Sequence, residues 1–504
     1  MRNRFTAIWI WLMLCPLAVD FKSVDENGSR LTQILLTLPV IAAGIALALI
    51  APRFVTRTRL SSTVMAALLL TVPGSIVPQL IQGNDVGNYL RVLLPFMLFL
   101  IGYLAARHPW PQERLKQIES AMFAAMVTSL LFSFAYGMAV GGGLETVRFR
   151  IVSVVFLATQ GVLLHEFVIA RRVTKFTVLL FIGTVLIEML SVTRSLLIGT
   201  ALLFCFATWL SAASLRHLLK AVLRAVVITT VLVGGTALVG SELFPSVAAH
   251  WTQRIAAGKA TASGIDPTTA TRLAELKDQY DQVTSNTTSL MVGKGYGHFY
   301  RYSPAYLKAL SGQMSEKEFY AINEWTAGHN FWVYQLFAGG LLFGIAFPAI
   351  VLFSLYRGSM AYRHWRRVAP NAPNLAVMGR ALLVLAALPA TSIGGNPLGP
   401  RFSGVVYGVA LGLLVATHAQ LARSTAAKLA AQGAAAAERA RQAQQAKQGR
   451  PRRAPLAGAP ALRPGTYAPM LTTIAHAPAA NAAGNDQPER APKRLRFAPQ
   501  GVDR

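Results

Sequence analysis

Charge is what this chain has least of. Only 14% of its 504 residues are Asp, Glu, Lys or Arg, where a soluble protein carries about 25%. Apolar stretches of about 20 residues recur instead, the length that crosses about 30 Å of hydrocarbon as a helix. The shortage excludes an ordinary soluble globule and points to an integral membrane protein. Cysteine is nearly absent: Cys15 and Cys205 are the two, both inside apolar stretches, which excludes a disulfide framework. Acids are outnumbered by bases, 21 to 48. The polar loops hold no Asp-x-Asp cluster, so no metal is expected. No Gly-Lys-Ser/Thr closes a glycine loop, which excludes a Walker-type nucleotide site. The chain also lacks the internal repeat that many transporters show.

The apolar stretches predict an all-α polytopic membrane protein with twelve spans, near 5–20, 31–50, 60–82, 89–106, 118–140, 151–170, 176–193, 195–213, 221–240, 331–356, 375–393 and 403–421. Arg2 and Arg4 ahead of the first, with no cleavage site after it, read as a retained signal anchor. Pro73 and Pro78 predict a kinked or broken third span, because each removes a backbone donor. Short connectors alternate in charge. Arg53, Arg57 and Arg59 share one; Arg107, Arg114 and Lys116, then Arg171, Arg172 and Lys175, then Arg216, Lys220 and Arg224, then Arg357, Arg363, Arg366 and Arg367 mark others. The positive-inside rule puts that set and both termini in the cytoplasm, and the one large loop, 241–330, outside. In a bacterium this is the inner membrane with a periplasmic loop.

Three regions follow: N-terminal spans over 1–180, a second region over 181–421 that contains the outer loop, and a basic Ala/Pro/Arg-rich tail over 422–504. Residues Ala426 to Lys447 could form a short surface helix. The rest of the tail has too few aliphatics for a core and is expected to be disordered. The formal charge of +27 sits in the connectors and this tail, a pattern of membrane topology and not of nucleic-acid binding. Attraction to anionic lipid headgroups is the simplest role for the tail, and partner binding is the alternative.

Four features on the outer side carry chemistry. Ser191-Val192-Thr193-Arg194-Ser195 puts an arginine at or below the outer headgroup layer, where a charge is costly and usually functional or paired; a snorkelling arginine paired with Glu188 is the plain alternative. Thr271-Arg272-Leu273-Ala274-Glu275-Leu276 reads as a helix capped by Thr271, with Arg272 in the first turn, where the helix dipole disfavours it unless it faces an anion. Gly293-Lys294-Gly295-Tyr296-Gly297 could bring backbone amides to a phosphate, or be a plain turn. Gly328-His329-Asn330 opens the next apolar helix, on which Gly340 and Gly344 share one face for close packing. At that helix mouth the dipole disfavours imidazolium, and a neutral imidazole can accept a proton; a capping histidine is the alternative.

Taken in this order and on this side, the four features resemble the O-antigen ligase and Wzy-type polysaccharide polymerase family. The resemblance rests on Thr193-Arg194-Ser195, Arg272-Leu273, Gly293 to Gly297 and His329-Asn330 to Gly344, and covers about 180–420, including the late outer loop Gly395-Asn396-Pro397. Where the family usually has an aromatic residue shortly after Arg-Leu, this chain has Glu275-Leu276. The resemblance implies a GT-C-like membrane glycosyltransferase. Such an enzyme moves glycan from an undecaprenyl-pyrophosphate carrier to an acceptor hydroxyl, a second glycan or lipid A–core, at the periplasmic face. No nucleotide or other cofactor is needed, because the diphosphate is already a good leaving group. His329 would be the base. Arg194, Arg272 and Arg401 would grip the pyrophosphate in bidentate fashion, with Asn330, Gly293, Gly295 and Gly297 in support. A polytopic transporter of a small solute or lipid-linked glycan is the reading of another class, for which Glu166 and Glu188 are the main intramembrane acids.

Overall fold

The computed structural model describes residues 2–19, 30–53, 58–212, 245–256, 264–372 and 374–448, with scattered positions between 216 and 242. The expected span at 221–240 and the tail after 448 lie outside the described residues. The chain divides into a large unit, 1–434, and a second, 435–504. Described residues are mostly helical and contain no strand, only one isolated bridge. The described residues are thus all-α, and their apolar helices are compatible with a membrane protein.

Among the described residues, five helices are long and apolar enough to cross a membrane: Arg59–Gln82, Val86–Ala106, Gln112–Val140, Arg194–Ser211 and Ser403–Ser424. A sixth span arises if Phe331–Gly344 and Ala346–Val368, bent by 84° at their junction, count as one. Shorter apolar helices, Phe5–Ala18, Leu35–Ile50, Phe156–Ala170 and Leu375–Thr391, occupy four more of the expected positions. The third span is broken as its prolines predict: a helix over Arg59–Thr71, a 3-10 turn over Pro73–Ser75 and a helix over Ile76–Gln82. Ser75 satisfies the freed backbone by donating to Val72 O at 2.6 Å. Helix does form at 426–447, as the continuation of the Ser403–Gln448 helix and not as a separate element.

Leu375–Thr391 is almost wholly buried and packs against Phe156–Leu164, Arg194–Ser211 and Ala346–Val368. Beside it, Gly404, Gly408 and Gly412 recur every fourth residue. Side chains there would collide with the backbone of Phe99 and neighbouring residues, so the glycines let two helices touch, the small-residue contact that drives association in lipid. The expected face of Gly340 and Gly344 has a different role. Helix Phe331–Gly339 ends at Gly340, which has φ +60°, and Gly340–Gly344 forms a wide turn leading into the bent second half. These glycines make the break; they are not a packing stripe.

Arg380, packed among the apolar helices, is paired. Arg380 donates to both oxygens of Glu119 at 2.5 and 2.8 Å and to Glu166 at 2.8 Å, and Glu166 also contacts His165 at 3.0 Å. Glu188 does not pair with Arg194. It sits with Thr200, 2.5 Å away, and Gln160. Arg380→Ala would strand two carboxylates. It is expected to cost towards the lower end of about 3–5 kcal/mol, since Arg380 keeps 21% side-chain exposure. A wild-type thermal midpoint for that variant in detergent would show the triad to be dispensable.

Candidate functional site

The region between 264 and 330 is organised by one helix, Pro267–Thr284. Asp266 caps it by accepting from the Thr269 amide at 3.2 Å, and Pro267 takes the first position. Pro267 fits there because the first turn needs no amide from it. The helix therefore starts earlier than Thr271 suggests, and Arg272 stands in its second turn. Glu275 and Gln279 share a buried face one turn apart.

That face meets the residues before the broken helix. Glu275 is 2% exposed in its side chain. Its Oε1 accepts from the His329 backbone amide at 2.6 Å, and its Oε2 lies 2.8 Å from His329 Nδ1. Gln279 donates to the same carboxylate at 3.3 Å. The Nδ1 contact is a hydrogen bond to the carboxylate in the tautomer with hydrogen on Nδ1, which leaves Nε2 as the ring's acceptor. The approach depends on Gly328, which adopts φ +60° and where a Cβ would stand 2.8 Å from Gln279 Nε2. Asn330 then caps the helix by accepting from the Val333 amide at 3.0 Å. The imidazole is 55% exposed.

His329 lines a cleft of about 350 Å³ together with Arg272, Arg148, Ser195 and Asn396; Phe156, Leu157 and Leu196 supply apolar wall. The late outer loop closes it: Asn396 donates to Ala327 O at 2.9 Å, and Ser392 accepts from Trp332 at 3.0 Å. Burial lowers the Arg272 pKa from its ordinary value, with Arg194 and Arg254 adding to the effect and Glu275 and Asp266 opposing it. Cations thus crowd one flank of the imidazole, a field suited to an anion with several negative oxygens.

Of the residues singled out in the sequence, the cleft brings together His329 and Arg272. Arg194 is not in its lining, although Thr193 and Ser195 are. Its guanidinium turns to Asp266 at 2.9 Å, within electrostatic reach of Arg272. The lining includes Pro400 but not Arg401. Gly293, Gly295 and Gly297 stand away from the cleft with positive φ. The amides of Lys294 and Gly295 donate to Phe337 O and Ala338 O at 2.7 and 2.9 Å, the carbonyls freed where the helix breaks. Gln82 and Asn84 donate to the Gly293 and Lys294 carbonyls at 2.9 and 2.7 Å. This segment is a plug for the broken helix and not a phosphate cradle.

Two members of the site escaped the sequence reading. Glu275 looked like a departure from an aromatic position. Its spacing of four residues from Gln279 was the available signal. Arg148 lies on the short helix Leu144–Arg150 inside what looked like a span boundary, and nothing in the sequence tied it to Arg272. No protein-family model matches this chain, and comparison with curated proteins finds no match.

Proposed function

We propose that the protein transfers glycan from an undecaprenyl-pyrophosphate donor to an acceptor hydroxyl at the periplasmic face, as a ligase or polymerase of surface polysaccharide. One observation carries the reading: an imidazole oriented by a buried carboxylate stands at the end of a cation-lined cleft beside membrane helices. In this reaction the acceptor oxygen attacks the anomeric carbon as the bond to the diphosphate oxygen breaks. Its proton passes to His329 Nε2, and the leaving oxygens take the negative charge. Glu275 holds the ring and steadies the imidazolium that forms, the division of labour of a base and its orienting acid. Arg272 and Arg148 face the diphosphate, and Arg194 joins them as phosphate displaces Asp266. Opposite placement of attacking and leaving oxygens gives inversion.

In this reading the shorter apolar helices, the helix Lys175–Ser191 and 221–240 also cross the inner membrane. That restores twelve spans, both termini inside, a GT-C-like arrangement and a tail held on anionic lipid. A deletion strain tests the proposal. Surface glycan reduced to single repeats, or full chains stranded on the carrier, is expected, while unchanged polysaccharide with altered solute accumulation would favour a transporter. Arg194→Lys should also impair transfer severely despite keeping its charge, because lysine lacks the planar fork. Near-normal transfer by the lysine variant would reduce Arg194 to a headgroup anchor tied to Asp266.

A further inference from the structure

Val192 has φ +50° and ψ +36°, a left-handed conformation in which a β-branched residue is a genuine outlier. It is buried, and its turn joins the helix Lys175–Ser191 to the helix that Arg194 opens. Such strain persists only where the surroundings over-determine it, and it gathers at functional sites. The supports are on both sides of the turn. Ser191 Oγ donates to Glu188 O at 2.9 Å, Thr193 Oγ1 to Ser191 O at 3.0 Å, and the Trp251 indole to Met189 O at 3.0 Å. Behind them the buried side chains of Glu188 and Gln160 meet at Thr200. The Thr200 hydroxyl lies 2.5 Å from Gln160 Oε1 and 2.5 Å from Glu188 Oε1, and Gln160 Nε2 donates to Glu188 Oε2 at 3.4 Å. One hydroxyl hydrogen cannot serve two acceptors. If Thr200 donates to Gln160, it accepts from Glu188, and the carboxyl group is the donor. Turning the Gln160 amide over gives Thr200 a donor but sets the Gln160 oxygen against Glu188 Oε2, where again a carboxyl hydrogen is needed. Either way the ring closes only when Glu188 carries a hydrogen. Arg194, the cation expected beside it, is turned to Asp266.

We infer that Glu188 is a neutral, hydrogen-bonding acid whose ring with Thr200 and Gln160 holds the Val192 turn and so positions Arg194 for the donor diphosphate. Phe156 and Leu196 wall the cleft, and each lies one turn before a ring member, Gln160 and Thr200, on its own helix. The ring therefore fastens two walls of the cleft to each other and to the turn that carries Arg194. Glu188 touches no reacting atom; it is a positioning residue that acts through Arg194. Its effect on the donor rests on the glycosyl-transfer reading above, whereas its neutral state rests on the hydrogen-bond count alone.

The test uses full-length protein in detergent, with the lipid-diphosphate fraction of host membranes as the varied donor. Glu188→Gln places an amide N–H where the carboxyl hydrogen stands and keeps an oxygen for Gln160, so it closes the same ring. It should match wild type in thermal midpoint, donor KM and kcat. Glu188→Ala opens the ring, and so does Thr200→Val, which keeps the side-chain shape and guards against a variant that fails to fold. Each should raise the donor KM about tenfold, the effect of leaving buried partners unpaired, with kcat changed less. In an Arg194→Gln background the same substitutions should add nothing to the donor KM, because residues that act through one another are not additive. A Glu188→Gln variant as impaired in midpoint as Glu188→Ala would mean an ionised acid and overturns the inference. Wild-type donor KM in both Glu188→Ala and Thr200→Val, alongside active wild type, overturns the positioning role and spares the glycosyl-transfer reading. Wild-type protein that neither binds the donor nor transfers from it overturns that reading and the positioning role with it, and the Glu188→Gln midpoint still decides the state of the acid.

Discussion

His329→Ala, expressed at wild-type level, is expected to lose about 10²–10⁴-fold in transfer rate, the usual worth of a general base, while still binding donor. The imidazole belongs to a dyad, so Glu275→Gln should also be severe. Gln in that place keeps an acceptor for Nδ1 but surrenders the negative charge that steadies imidazolium, and its amide group meets the His329 backbone amide with a donor or a single acceptor. Groups that act as a unit are not additive. The double variant should therefore fall little below His329→Ala alone. Initial rates of transfer, paired with donor binding on the same preparations, measure this. Two independent losses that multiply would dissolve the dyad, and full activity in His329→Ala would remove the base altogether.

Gly340→Ala is expected to yield little or no folded protein. An L residue at its φ of +60° and ψ of −163°, a region open essentially to glycine alone, pays about 1–3 kcal/mol, and the added carbon would stand 2.5 Å from Met291 O and 2.6 Å from Gly293 N. Those are backbone atoms of the plugging segment and of the helix Thr287–Val292 just before it, which cannot rotate away as a side-chain tip would. Gly293→Ala meets the mirror problem at φ +87°, 2.5 Å from Ala338 O. Size-exclusion profiles of detergent extracts should show aggregate for both variants. Gly183→Ala, with no atom within reach, should run as wild type. A monodisperse Gly340→Ala with an unchanged midpoint would contradict the described break.

The helical class and the positions of several spans were legible because a bilayer imposes a length and a polarity that any sequence must display. The proline break at Pro73 was legible for the same kind of reason, being fixed by single-residue backbone chemistry. Pairing across the fold was not. Arg194 finds Asp266 across 72 positions and His329 finds Glu275 across 54; nothing local announces such partners. Gly340 and Gly344 illustrate a second limit. Their spacing suits a packing face in a continuous helix, yet a positive φ at one of them ends the helix, and spacing carries no information about φ.

The plug formed by 293–297 has a practical corollary for anyone wishing to study the outer region by itself. Its Tyr296 ring is fully enclosed, bonded to Gln335 at 2.9 Å and tilted against Phe96, and its amides end on carbonyls of the apolar helix Phe331–Gly339. Cut free, that excised module would expose an aromatic surface and orphaned backbone groups at once. The 264–330 region and the apolar helices it plugs are one folding unit, to be purified together or not at all.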